Sequence, residues 1–567
     1  MLKKRARYVA ASAAGVLGLS LGLAACGSGG GEGSSAKPLT LVSEDAIEHL
    51  DPQRIYVGAD IAATTRLVYR QLLAFPASTD PEVSGTPVPD LATDEGTSTE
   101  GGKVWSFTVK DGVKWEDGSD ITCEDFAYGA SRNFAADELT GGPGFYLTQK
   151  LALKGEYPGP YTATPEQQAD FDQAVSCDGK TITYKFNSPW PDFPLAIASL
   201  HMMDPYKKSF DKGAKNDDVI FSNGPYKVEK WNATKGGTLV RNEHYDPETD
   251  SKDLREALPE KIEFKYGEKA ATLYEKLFSD SPDSQYTVAK QSRVPPEFYP
   301  RLNEAGVKDR YVQVESPYVD YLVPNQNQMK DPKVRRALAL ATNINAWIAA
   351  GGGEKAYTPA DSIVNPAVGG YKPNPSFEGR NLDGDVEGAK KLLAEAGVKT
   401  PYPITFAYPQ SDTADKQAAA LVETWEKAGF KVTLDPLGDV YYSEIQKPSN
   451  KADVMWGGWG ADWPSAMTVT AALFDSRQIE KNTNGQNYGN YKNPEVDALF
   501  DKAGSAATIE EQNTFLQEAD AKLGEDTAYI PLEIAIFNWV HGSKVKNFTT
   551  TSASNSFPEL AGIDVED

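Results

Sequence analysis

The spacing of apolar residues changes three times along this chain. From Tyr8 to Ala25 they run nearly unbroken among Gly, Ser and Ala, after a basic start at Lys3, Lys4, Arg5 and Arg7. A Gly/Ser stretch over 27–38 then carries almost no apolar residue, the composition of a flexible tether. Next come short alternating runs: Leu39-Thr40-Leu41-Val42, Val104-Trp105-Ser106-Phe107-Thr108-Val109 and Thr181-Ile182-Thr183-Tyr184-Lys185-Phe186. A period of two predicts strands, so the first 200 residues read as strand-rich. After about residue 325 the period lengthens. Val334, Ala337, Leu338 and Ala341 share one helical face behind a capping Asp331 and Pro332. Helices are predicted over 385–396 and 415–428, each stopped by a glycine (Gly397, Gly429) and followed by a strand at 404–406 and 430–434. Thr508-Ile509-Glu510-Glu511 is a capping box that opens another helix. Helix, glycine and strand in repetition predict a mixed α/β unit with parallel strand pairs.

The opening segment has the three parts of an export signal: a basic start, an apolar stretch and a small-residue cleavage site. A membrane anchor is the competing reading, but the stretch is short for spanning and rich in small residues. Leu23-Ala24-Ala25-Cys26 resembles a bacterial lipobox, which implies cleavage of 1–25 and a lipid on Cys26. The chain is then expected outside the cytoplasm, anchored to the outer face of the cell membrane through the tether 26–38. Two other cysteines remain, Cys123 and Cys177. In an oxidising compartment an even pair favours a disulfide over two buried thiols, and closing that loop stabilises a fold by up to about 4 kcal/mol.

At 567 residues the chain has room for three or four structural units. The formal charge of −24 removes the basic footprint that nucleic acid requires, so no nucleic-acid partner is expected. His49, His201, His244 and His541 are scattered without metal-ligand spacing, and neither a Gly-x-Ser-x-Gly elbow nor a phosphate-binding Gly-rich Lys loop is present. An enzyme is disfavoured, and no metal or cofactor is expected.

Five segments occur in an order similar to that of the family 5 extracytoplasmic solute-binding proteins of ABC importers, the oligopeptide- and dipeptide-binding type. They are Asp111 to Ser119 followed by Ile121 to Phe126; Ser222-Asn223-Gly224-Pro225-Tyr226-Lys227-Val228; Asp331 to Leu338; Gly457 to Pro464; and Asn487 to Asp497. The resemblance implies an α/β fold of two lobes joined by two crossover strands, with an extra strand-rich subdomain in the first lobe. By that likeness lobe I is 39–75 plus 197–319 plus 537–567, the subdomain is 76–196, and lobe II is 320–536. It also implies a monomer that encloses an oligopeptide between the lobes and delivers it to the permease subunits of an ABC importer. A metal chelate or a glycan as solute, and a peptide-sensing lipoprotein without a permease, are the alternatives.

The densest candidate site is Trp456-Gly457-Gly458-Trp459-Gly460-Ala461-Asp462-Trp463, with three Trp and three Gly in eight residues. Tryptophan supplies rigid contact area, glycine allows close backbone approach, and an Asp among apolar neighbours calls for a cationic partner. The resemblance implies that Asp462 holds the amino terminus of a peptide, with Trp459 and the Gly458 backbone beside it; Trp456 and Trp463 complete the segment. The competing reading is an Asp that caps the turn before Pro464, with the tryptophans in the core. Tyr56 and Gly58 fall where the resembling proteins pair an extended ligand with backbone, although a surface loop with one packed tyrosine explains them equally well.

Overall fold

The computed structural model describes residues 37–566; the signal, Cys26 and most of the tether lie outside the described residues. No described helix is long and apolar enough to cross a membrane. Helix starts follow local chemistry. Asp331 accepts a hydrogen bond from the Lys333 amide ahead of the helix Pro332–Ala341, and Val334, Ala337, Leu338 and Ala341 are all buried. Asp385 caps Val386–Glu395 in the same way, and Gly397 turns the chain away at φ +67°. The helix predicted from 415 starts earlier, as Asp412–Lys427, because the Ser411 side chain accepts from the Ala414 amide. Thr508 caps Ile509–Glu525, but the returning carboxylate of Glu511 accepts from Ala507 rather than from Thr508.

Three sheets organise the chain. In the first, Leu39–Ser43 lies parallel to both Lys261–Tyr266 and Thr287–Ala289, and Gly236–Arg241 and Tyr226–Asn232 extend one side as antiparallel strands. The second has the order Tyr357–Pro359, Ile530–Val540, Tyr311–Pro324, Val454–Gly460, Tyr402–Pro409, Phe430–Leu437. Its last three strands are mutually parallel; the helix–glycine–strand pattern predicts Tyr402–Pro409 and Phe430–Leu437 among them. The third is antiparallel: Thr97–Thr99, Val104–Thr108, Thr181–Lys185, Val175–Asp178. It is accompanied by the helices Cys123–Arg132, Phe145–Lys150 and Pro165–Ala174, which the alternating pattern did not reveal. Cys123, first in its helix, is disulfide-bonded to Cys177 in the edge strand, with a Cα separation of 5.9 Å.

The first and third sheets share one hydrophobic core, and the second sheet with its helices builds another. Tyr311–Pro324 and Ile530–Val540 join the two. Phe537, Trp539 and Val540 pack with Leu273, Tyr274 and Leu277 on the first-lobe side, whereas Tyr321, Leu322, Ile530 and Leu532 lie in the second core. The pairing of these strands breaks register between Glu315 and Val319, next to Pro317, and again between Asp320 and Tyr321. A proline and two irregularities thus sit where the paired strands pass from one core to the other.

Candidate ligand-binding site

Asp462 lies just beyond the end of the strand Val454–Gly460, in a loop tied down by Thr468. The Thr468 hydroxyl accepts from the Asp462 amide (3.1 Å) and its carbonyl accepts from the Trp459 ring N–H (2.8 Å). The Asp462 carboxylate reaches across to the first lobe. The Tyr56 hydroxyl donates to Oδ1 at 2.9 Å, and the Tyr146 hydroxyl donates to Oδ2. No cation of the chain partners this carboxylate among the described residues; its side-chain donors are two phenols.

Each phenol is placed by first-lobe chemistry. Tyr56 follows the turn Pro52–Arg54, capped by Asp51, whose carboxylate is clasped by the buried guanidinium of Arg132 (Nη1 to Oδ1, 2.8 Å). Tyr146 comes from the helix Phe145–Lys150 of the inserted segment. The glycine turn before it packs directly on the Pro52–Arg54 turn: a Cβ on Gly142, at φ +77°, would lie 2.3 Å from the Gln53 carbonyl oxygen. Only glycine permits that approach, and it brings Tyr146 beside Tyr56. The sequence carries no signal for Tyr146, because nothing in its spacing links it to residue 462.

Burial pushes the Asp462 carboxyl up to about 6, and the two phenolic hydrogen bonds offset only part of that rise. Burial first and the Asp462 charge second hold the Tyr56 hydroxyl far above its ordinary value, and Tyr146 likewise. At neutral pH the trio is therefore one carboxylate and two protonated donors. A carboxylate offers about four acceptor positions, so two remain for a further donor.

The three tryptophans do different work. Trp463 is 3 % exposed and sits in the first-lobe core, where its ring N–H donates to Asp192 Oδ2 at 2.6 Å and its ring meets Tyr146 edge-on at 4.6 Å. It is a plug from the second lobe seated in the first. Trp459 is half-buried against Thr468. Trp456 meets Trp347 edge-on at 4.7 Å, and its amide donates to the Tyr441 hydroxyl at 2.9 Å. The glycines answer to the neighbouring strand. A Cβ on Gly457 would lie 2.6 Å from the Tyr321 ring, on Gly458 2.5 Å from Asp320 Oδ1, and on Gly460 2.6 Å from the Tyr318 ring. Each of these partners is directly opposite in register, so the missing side chains make room for cross-strand packing. Gly58 opens the helix Gly58–Leu67 and faces the Tyr318 hydroxyl, which a Cβ would approach to 3.1 Å.

A cavity of about 240 Å³ lies between the lobes, beside the crossing strands. Thr65, Arg66 and Phe75 line it from the first lobe, Ser316 and Pro317 from the crossing, and Asp462 from the second lobe. Trp463 also borders it, whereas Tyr56, Gly58, Trp456, Gly458 and Trp459 do not.

The model of the bacterial extracellular solute-binding proteins, family 5, matches residues 86–481. Among curated relatives, the probable deoxycholate-binding periplasmic protein YgiS of Escherichia coli is 25 % identical over 76 % of this chain and 77 % of its own length. The oligopeptide-binding protein OppA of Bacillus subtilis is 26 % identical over 93 % and 94 %. Among solved structures, the clavulanic acid biosynthesis oligopeptide binding protein 2 superposes with a TM-score of 0.84 at 25 % identity, covering 94 % of this chain and 96 % of that one. The unliganded open form of the murein tripeptide binding protein MppA gives a TM-score of 0.70 at 20 % identity over 94 % and 98 %. With its two lobes, paired crossover strands and inserted sheet, this chain belongs to the family 5 bacterial extracellular solute-binding proteins.

Proposed function

We propose that this chain is the lipid-anchored receptor subunit of an ABC importer, and that it captures peptides between its lobes by their free amino terminus. The observation that carries the reading is Asp462: a carboxylate with two phenols and no cation, at the seam between the lobes. A peptide ammonium supplies the missing charge through a charge-assisted hydrogen bond worth roughly 1.5–3 kcal/mol. The names of the Bacillus subtilis relative and of the clavulanic acid protein support the same ligand class. Deoxycholate, named for the Escherichia coli relative, would bring a second negative charge to Asp462 and is disfavoured by it. Tyr56 and Trp459 wall the amino-terminal subsite, with the Gly58 and Gly458 backbones as the flanking main chain. Cys26 carries the lipid, and the lobe boundaries follow the crossing strands near residues 320 and 536.

Calorimetry with a free-amino tripeptide and its N-acetyl form tests the reading. Acetylation should weaken binding to the wild-type chain by about 10- to 100-fold and should cost the Asp462→Asn variant little. Equal affinity of both forms for the wild-type chain would show that Asp462 does not read an amino terminus. Anchoring is tested separately: Cys26→Ser should leave the membrane fraction or retain its signal.

A further inference from the structure

Four residues before Asp462, the same strand passes a second carboxylate that the amino-terminal subsite does not use. Gly458, Asp320 and Glu533 stand directly opposite one another on three adjacent strands. Asp320 Oδ1 occupies the space over Gly458. Glu533 is fully buried, and among the described residues neither of its oxygens finds a hydrogen-bond partner. Trp347 and Gln417, both buried, turn N–H groups toward it without reaching bonding geometry, so those donors are unpaired as well. Asp320 is half-buried and forms no ion pair among the described residues. The one described cation acting on it is Arg293 of the first lobe, which is exposed and stacks over the Phe537 ring at 4.5 Å.

Like charges directly opposite on neighbouring strands destabilise a sheet, and burial compounds the cost. Burial first, and the mutual repulsion of the pair, hold the Glu533 carboxyl well above the usual carboxylate range; burial does the same to Asp320. The surroundings are aromatic: Trp456 lies beside Asp320, with Trp347 edge-on to it at 4.7 Å, and Tyr357 lies near both acids. A half-buried carboxylate backed by a second acid, with the partly exposed Trp456 beside it, is matched to a planar, delocalised cation, which stacks on rings and bonds carboxylates in a fork.

We propose that Asp320, backed by the buried Glu533, receives the basic side chain, a guanidinium in preference to an ammonium, of the bound peptide. The inference rests on the amino-terminal reading of Asp462, which sets the register. The Gly458 rung is at most roughly 13 Å of extended strand from Asp462, a span covered by a long side chain on one of the first three ligand residues.

The test is calorimetry of the wild-type chain with tetra-alanine and with free-amino tetrapeptides carrying arginine at position one, two or three. Each arginine peptide has a counterpart with citrulline, which keeps the shape and removes the charge. At one position arginine should bind about 10- to 100-fold more tightly than citrulline. Asp320→Asn should bring that ratio to within about threefold, while circular dichroism reports whether the variant is folded. Equal affinity at every position would overturn the inference. So would a uniform arginine preference that survives in Asp320→Asn, since that is the general field of an acidic protein. If tetra-alanine binds and the ratios are one, this inference alone falls; if no peptide binds, the amino-terminal reading falls and takes this one with it.

Discussion

A carboxylate that must be satisfied by neutral donors is a titration switch, and Asp462 is placed to act as one. Its folded value of about 6 lies above the ordinary 3.8, so the folded chain holds that proton more tightly than the unfolded chain. The stability it contributes is complete below about pH 4 and is lost as pH rises to about 6. Tyr56, Tyr146 and Tyr318 face it and stay protonated throughout this window. Asp462→Asn should therefore gain melting temperature relative to wild type as pH rises from 4 to 7; a constant difference between the two would mean that the carboxyl titrates normally. Trp463 makes a different kind of bond, one that leaves a buried acceptor without its donor when it is lost. Asp192 is 1 % exposed and accepts from the Trp463 ring N–H. Trp463→Phe should cost roughly 1–3 kcal/mol in denaturant unfolding, the penalty of an unsatisfied buried acceptor.

Strand Val454–Gly460 shows how an element that reads as a binding loop is also built to be packed. Its glycines are occupied from the side by Tyr318, Asp320 and Tyr321. Gly457→Ala would force a Cβ against the buried Tyr321 ring, which has nowhere to move, and should destabilise by roughly 1–3 kcal/mol. Gly438→Ala, which meets open space, serves as the control and should change stability by less than about 0.5 kcal/mol. Equal effects of the two, measured by urea unfolding, would show that the cross-strand contacts do not restrict position 457. In the inserted sheet, the Cys123–Cys177 bridge ties a helix start to an edge strand across a separation of 54 residues. Replacing both cysteines by alanine should lower unfolding free energy by up to about 4 kcal/mol in the chain-entropy account. The loss should be the same in the wild-type and the Asp462→Asn backgrounds, because the two sites share no contact among the described residues.

At the scale of the molecule, the lobes meet through the Asp462–tyrosine trio and the seated Trp463. Both sets of contacts come from one loop of the second lobe. Small-angle scattering should show a larger radius of gyration for Trp463→Phe than for wild type in the absence of peptide, and compaction of both on addition of one that binds. A radius identical in the two unliganded proteins would show that Trp463 does not hold the lobes together.

Local chemistry was legible wherever it acts over a few residues. Asp331, Asp385 and Thr508 cap the helices their positions announce, because a side-chain oxygen two or three residues from an orphan amide needs no distant partner. Two parallel strands of the second sheet, Tyr402–Pro409 and Phe430–Leu437, were legible for the same reason, each being delivered by a helix and a glycine stop; Val454–Gly460 carried no such signal. The Asp462 segment was legible as a dense patch, and the ordered motifs pointed to the family to which the chain belongs. What the linear chain could not disclose is which groups complete that patch. Tyr56 and Tyr146 are 406 and 316 residues from Asp462, Asp192 is 271 from Trp463, and Glu533 is opposite Asp320 only because two long strands cross side by side. Such partners carry no periodic signal, since closing the chain over those distances is the work of two cores and the strands that cross between them. Whether a buried aspartate meets an arginine, a phenol or another acid was decided there.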